Sequence, residues 1–141
     1  MIRGFRPADM QAVLDIWLQA SIVAHDFIDA AFWRDQVEAM RTIYLPSSKS
    51  IVFEQDSRLL GFYAMYETTL AALFVAPAYQ GTGIGSQLLT HAKHCHTQIT
   101  LSVYTENQKS LAFYRKHGFQ TIKEQPDIHT GHAERILEWR A

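Results

Sequence analysis

The sequence has 141 residues and only one cysteine, Cys95. A single thiol cannot form an intrachain disulfide, which suits a reducing compartment. An excess of charge of either sign is also missing, because 13 lysines and arginines nearly balance 14 aspartates and glutamates. The chain therefore offers no electrostatic reason to expect a nucleic-acid partner.

Long hydrophobic runs are absent as well. No apolar stretch approaches the ~20 residues that a membrane-spanning helix requires, and residues 1–9 carry charge and proline where a signal peptide has an apolar run. We therefore expect a cytoplasmic protein without membrane contact. Apolar residues still make up 48% of the sequence, enough for a continuous core, and no repeat or linker divides it. Residues 1–141 are expected to form one domain.

The hydrophobic pattern predicts a mixed α/β fold with the element order βααβββαβαββ. A strand over 2–5 and two helices, the second over 30–44 and ending before Pro46, precede three strands over 50–54, 59–66 and 70–75. The connections between these three strands are too short for parallel crossovers, so the strands should form an antiparallel meander. A helix over 83–96 with Cys95 on its inner face, a strand over 99–103, a helix over 108–117 and a closing hairpin complete the order.

A glycine-rich loop joins the third meander strand to the next helix. Gly81, Gly83 and Gly85 fall within five residues. Glycine permits close approach of a ligand to the backbone. The free amides and the dipole at the start of the helix favour an anion. The loop therefore predicts a site for a polyphosphate cofactor, and the alternative is a glycine-rich connection without a ligand.

Two common nucleotide motifs fit this loop poorly. The triphosphate-binding loop requires Gly-Lys-Ser/Thr, and the loop contains no lysine. The dinucleotide fingerprint requires a glycine where the chain has Ser86, although Glu106 lies at about the distance of its acidic residue. An antiparallel meander is also the wrong context for a dinucleotide unit.

The pattern Gln80-x-x-Gly83-x-Gly85 resembles the cofactor signature of the GNAT acetyltransferase superfamily. The run from Asn107 to Phe119 is similar to its second motif, an asparagine followed by a helix that carries Phe-Tyr and ends in Gly-Phe. The predicted strand order also matches, so the resemblance covers nearly the whole chain and points to small bacterial single-domain members. It implies an acetyl-CoA-dependent N-acetyltransferase with a mostly antiparallel sheet, splayed at the cofactor site and flanked by helices.

The resemblance also implies which residues hold acetyl-CoA. Its pyrophosphate is expected on the backbone amides of the loop, that is, on Gln80, Gly81, Thr82, Gly83, Ile84, Gly85 and Ser86. Pantetheine should lie along the strand that ends at Phe74 and Val75, where backbone amides should stabilise the oxyanion. The strands are expected to diverge after Val75 and Val103. Asn107 is expected to cap the following helix and to contact the cofactor.

Two residues are candidates for proton transfer. Tyr114 matches the tyrosine that protonates the departing thiolate in this family, and the alternative is an ordinary core aromatic. Glu67, at the end of the second meander strand, is a candidate base, and the alternative is a solvated turn carboxylate. No base is required if the amine arrives neutral.

The acceptor side is expected in the break between the first two helices. His25, Asp26, Phe27 and Trp33 combine titratable groups with aromatic rings, which suits an amine on an apolar stem, although helix packing also explains the aromatics. A protein lysine, a protein N-terminus or a small amine should attack directly in a ternary complex. The alternative function is a CoA-binding module without turnover, for which a proton donor at Tyr114 has little use.

The histidines do not predict a metal site. His91, His94, Cys95 and His96 cluster at one helix end, but a zinc site usually draws on a second ligand pair elsewhere in the chain. We therefore expect no metal, and we expect a monomer or a homodimer.

Overall fold

The computed structural model describes residues 1–141 as one seven-stranded sheet with helices on both faces. The strands are β1 (Ile2–Gly4), β2 (Lys49–Gln55), β3 (Arg58–Tyr66), β4 (Thr69–Val75), β5 (Gln98–Tyr104), β6 (Gln120–Pro126) and β7 (Ala133–Arg140). The helices are α1 (Met10–Ala24), α2 (Ala30–Asp35), α3 (Val37–Ala39), α4 (Leu45–Ser47), α5 (Ile84–His94) and α6 (Gln108–Lys116). The strands lie in the order β1-β2-β3-β4-β5-β7-β6. The predicted mixed α/β fold and the antiparallel meander of β2, β3 and β4 are confirmed.

One pair of neighbouring strands, β4 and β5, is parallel, and it is barely joined. Its register contains the single pair Thr69 and Thr100, and the amide of Thr100 donates to the carbonyl oxygen of Thr68 at 3.0 Å. The two strands diverge beyond this point towards Val75 and Tyr104. The predicted splay is present, and it begins at the first residues of the strands rather than after Val75 and Val103.

The alternation of side chains along the strands separates two cores. On one face, α5 and α6 pack on the sheet in a core of 16 buried residues, which include Tyr63 of β3 and Leu101 of β5. On the other face, α1 and α2 cover 11 buried residues, which include Phe62 of β3 and Ala72 of β4. Successive strand residues point to opposite faces, so β2, β3 and β4 contribute buried residues to both cores.

The segment between α1 and β2 differs from the expected continuous helix over 30–44. It is divided into α2, α3, a π-helical turn over Met40–Tyr44, and α4. Pro46 lies in the first turn of α4, where no backbone N–H is needed from the proline. The prediction of one helix that stops before Pro46 is wrong, because the π-turn starts a new helical turn into which the proline fits.

The end of α5 also differs from expectation. Regular helix stops at His94, and Cys95 is the C-cap with an exposed side chain rather than a core position. His91 shares a 2.6 Å hydrogen bond with the hydroxyl of Tyr63. No group of three or more His, Cys, Asp or Glu side chains is arranged to hold a metal ion.

The longest helix, α1, has 15 residues, and no helix combines the length and the apolar character needed to cross a bilayer.

Two isoleucines in strands test how the core is distributed. Ile99 of β5 is 0% exposed, whereas Ile122 of the edge strand β6 is 56% exposed. We expect Ile99→Ala to lower the free energy of unfolding by about 2–5 kcal/mol, because it leaves a cavity between α5 and the sheet. Ile122→Ala, the control, should change it by less than about 0.5 kcal/mol. Equal losses in urea unfolding would contradict this assignment of the core.

Candidate active site

A cleft of about 730 Å³ opens where β4 and β5 diverge. Its walls come from both faces of the sheet. Ala20, Val23 and Ala24 of α1 line one side, and Gly85 of α5 with Phe113 of α6 lines the other. The cleft is therefore lined from both faces of the sheet. Its volume lies in the range of small-molecule sites.

The glycine loop forms one rim of this cleft. Gly83 is the N-cap of α5 with a left-handed φ of 90°, a conformation that favours glycine. The first hydrogen bond of the helix runs from the amide of Gln87 to the carbonyl of Gly83. The amides of Ile84, Gly85 and Ser86 precede that bond, and Gly83 has no side chain to cap them. These three N–H groups and the helix dipole make an anion site.

The predicted cofactor residues come together at the cleft, except two. Those that line it are Phe74, Val75, Gln80, Gly81, Gly83, Gly85, Ser86 and Asn107. Ile84 instead points into the core beside α5, and the hydroxyl of Thr82 donates to the carbonyl of Tyr79. The side chain of Gln80 donates to the carbonyl of Val75 at 3.1 Å and so closes the loop onto the end of β4.

The open edge of β4 carries one of the two amides that the sequence suggested as oxyanion donors. The amide of Ala76 donates to Leu60 of β3 at 2.8 Å. Main-chain groups alternate between the two edges of a strand, so the amide of Phe74 also faces β3 and that of Val75 faces the cleft. Of the two amides considered from the sequence, Val75 is the one directed at a ligand between β4 and β5.

Tyr114 lies in α6 with its side chain between the core and the cleft. It is 8% exposed and lines the cleft. The ring packs against Phe113 and Phe119, with centroids 5.2 and 5.4 Å away. Burial raises the pKa of Tyr114 well above its usual value, so the phenol keeps its proton at neutral pH. Asn107 accepts a hydrogen bond from the amide of Ser110 at 3.2 Å, which confirms it as the cap of α6.

The predicted acceptor residues are divided by the structure. Asp26 lines the cleft, whereas His25, Phe27 and Trp33 form an aromatic cluster behind it. His25 stacks on Trp33 with 4.9 Å between centroids. Burial lowers the pKa of His25 to about 4, so this imidazole is neutral at pH 7. The cluster adds Tyr104 of β5, which contacts the rings of both His25 and Phe27.

The structure does not bring Glu67 into the cleft. Glu67 lies in the turn between β3 and β4, where it adopts a left-handed φ of 54°. The strand β4, which runs from Thr69 to Val75, separates this turn from Val75 and spans roughly 20 Å at about 3.3 Å per residue. Glu67 stands at the end where β4 and β5 are joined, not at the end where they diverge.

Two residues beside the cleft were not predicted as site residues. Glu106, between β5 and α6, lines the cleft and is 2.9 Å from Nδ1 of His132 in the β6–β7 turn. The two residues are 26 positions apart in the chain. No local pattern connects them, and only the pairing of β5 with β7 brings them together.

Comparison with known proteins places this architecture among acetyltransferases. Residues 46–121 match the acetyltransferase (GNAT) domain family. The peptidyl-lysine N-acetyltransferase YiaC of Escherichia coli (strain K12) is 37% identical over 123 residues, which cover 86% of this chain and 84% of YiaC. The peptidyl-lysine N-acetyltransferase YjaB of the same strain is 28% identical over 84% of this chain and 81% of YjaB.

Solved structures agree with these sequence relatives. The solution structure of apo YjaB from Escherichia coli superposes with a TM-score of 0.86 at 25% identity, covering 99% of this chain and 96% of that one. The PaiA N-acetyltransferase of Thermoplasma acidophilum in complex with coenzyme A has a TM-score of 0.82 at 18% identity, covering 100% and 98%.

The wall formed by Gly85 gives a test of where the cofactor lies. A Cβ at this position would meet Phe113 at 3.5 Å, an ordinary contact, so a side chain there can be accommodated but must fill part of the cleft. We expect Gly85→Val to weaken acetyl-CoA binding by at least about tenfold, or 1.4 kcal/mol, in titration calorimetry. Gly4→Val, at a position with open space around its Cβ, is the control. Unchanged affinity in Gly85→Val would place the cofactor elsewhere.

Proposed function

This chain belongs to the GNAT acetyltransferase family, and we propose that it acetylates the side-chain amine of protein lysines. Acetyl transfer from acetyl-CoA to nitrogen is the activity that its two motifs predict, and similarity to known N-acetyltransferases confirms it. The lysine acceptor is supported by YiaC and YjaB, whose names both specify peptidyl-lysine.

The main structural support for the proposal is the cleft between β4 and β5, which is lined from both faces of the sheet. In our proposal acetyl-CoA enters beside α5 and α6, where the loop amides receive its pyrophosphate. Lys109 and Lys116, which line the cleft, add positive charge along α6. The amine enters beside α1, where Asp26 and Glu106 add negative charge suited to an ammonium group. Two substrates that approach from opposite faces can meet in one ternary complex without an acyl-enzyme intermediate.

The proposed reaction needs three events at the thioester. The nitrogen lone pair attacks the carbonyl carbon and forms the C–N bond, while the amide of Val75 donates to the oxyanion. The C–S bond then breaks, and the thiolate takes the proton of the Tyr114 hydroxyl. Burial raises the pKa of a phenol and would raise that of a thiol in the same cleft. The two pKa values therefore remain close enough for proton transfer.

An acceptor panel tests the lysine assignment. A peptide with a blocked N-terminus and one lysine should support the release of CoA thiol, because only the lysine offers an amine. The same peptide with arginine at that position should not. Turnover confined to free amino acids would replace lysine by a small-molecule acceptor. Tight binding of acetyl-CoA with no release for any amine would favour a binding module instead.

The role of Tyr114 is tested by removing only its hydroxyl. We expect Tyr114→Phe to lower kcat by about 10²–10⁴-fold, the usual contribution of general acid catalysis, with little change in acetyl-CoA affinity. Tyr66→Phe, at a tyrosine that is 54% exposed, serves as the control. An unaltered kcat for Tyr114→Phe in single-turnover experiments would contradict the role.

A further inference from the structure

A histidine–carboxylate pair lies outside both sequence motifs, and its carboxylate lines the cleft. The turn between β6 and β7 carries His132, whose Nδ1 lies 2.9 Å from Oε1 of Glu106. Glu106 itself lines the cleft. The side chain of His132 is 33% exposed, so its ring is open to solvent while one nitrogen is held by the carboxylate.

We propose that His132 removes the proton from the acceptor amine and that Glu106 orients it for this task. This inference rests on the proposed transfer to an amine. His132 takes the role of base for which the sequence suggested Glu67. Glu67 lies beyond the other end of β4 from Val75, and that strand is about 20 Å long. His132 is then a catalytic residue, and Glu106 is a positioning residue.

The hydrogen bond selects the tautomer that a base requires. A carboxylate only accepts hydrogen bonds, so the proton of the neutral imidazole resides on Nδ1 and is donated to Glu106. The lone pair then lies on Nε2, which makes no hydrogen bond within the chain. Once Nε2 has taken a proton, the negative charge of Glu106 stabilises the imidazolium ring.

The turn that carries His132 is held on the acceptor face. The hydroxyl of Tyr104 donates to Asp127 at 2.6 Å, and the hydroxyl of Thr130 donates to the same oxygen at 2.9 Å. The ring of His132 packs 5.2 Å from that of Phe27. Phe27 and Tyr104 both belong to the core beside α1. His132 therefore lies on the side opposite to α6, whose Tyr114 serves the leaving sulfur.

Titratable side chains from several elements lie around the turn that carries His132. Glu106 faces it from the β5–α6 connection and Asp127 from its own turn. The segment after α1 contributes Asp26, which is exposed, and His25, which burial keeps neutral. The Tyr104 phenol is also neutral, because burial and Asp127 raise its pKa. His129 lies beside Asp127 in the same turn, and the carboxylate that contacts the His132 ring is that of Glu106.

The protons balance across the cleft. The acceptor arrives as an ammonium group and gives one proton to Nε2 of His132. The nitrogen then forms the C–N bond, the C–S bond breaks, and the thiolate takes the proton of Tyr114. The amide nitrogen loses its remaining excess proton to solvent, from which the Tyr114 phenolate is reprotonated, and the exposed imidazolium releases its own proton there.

The test compares two histidines of the same turn by their pH profiles. His132→Asn keeps a side-chain N–H that can reach Glu106 but removes the titratable base. His129→Asn is the control, since His129 is exposed and its side chain makes no hydrogen bond. The measurement is kcat/KM for the single-lysine peptide between pH 6 and 10, with the KM for acetyl-CoA and the Tm recorded for each variant.

For His132→Asn we expect a loss of about 10²-fold at pH 7. The loss should shrink as the pH approaches ~10, where a lysine amine is neutral without help. Acetyl-CoA KM and Tm should stay as in the wild type, and His129→Asn should match the wild type throughout. In Glu106→Gln the side-chain oxygen can still accept a hydrogen bond from Nδ1 of His132, but the negative charge is removed. This variant should therefore move the acid limb of the kcat/KM profile to lower pH.

Two results would overturn the inference alone. One is an unchanged pH profile in His132→Asn. The other is a loss of equal size at every pH, together with a lower Tm, which would make the pair a structural clamp of the turn. A wild-type protein that releases no CoA with any amine would overturn the proposed function as well, so the two failures can be told apart.

Discussion

The cleft and the groups around it depend on the weak pairing between β4 and β5. A single register pair, Thr69 with Thr100, joins them, and every later residue of the two strands is free to diverge. A sheet that was paired throughout would have no room for a ligand between its central strands. The divergence opens the cleft, leaves the amide of Val75 without a strand partner, and directs the starts of α5 and α6 at the same space.

The same divergence separates the chemistry into two halves. The strands point alternate side chains to the two faces, so the core beside α5 and α6 and the core beside α1 meet only at the cleft. The free amides at the start of α5, Lys109 and Lys116 lie on one half, while Asp26 and Glu106 lie on the other. The proposed proton donor, Tyr114, and the proposed base, His132, belong to different halves.

Local features of the site were predictable where the signal is contained in a few consecutive residues. The left-handed φ of Gly83 and the cap that Asn107 provides for α6 both follow from short-range backbone requirements. The misjudged features depend on details that periodicity does not carry. A π-turn changes the phase of the helix before Pro46, and the end of α5 at His94 makes Cys95 an exposed C-cap.

The sequence by itself determined the succession of the seven strands, the antiparallel meander, the glycine loop and the family, because each is encoded by alternation, turn residues or a short motif. The tertiary structure decided which candidates meet. It placed Glu67 in a turn at the joined end of β4 and made His25 a buried neutral ring. It also paired Glu106 with His132. These outcomes depend on strand register and on the packing of distant loops, and no pattern of neighbouring residues specifies them.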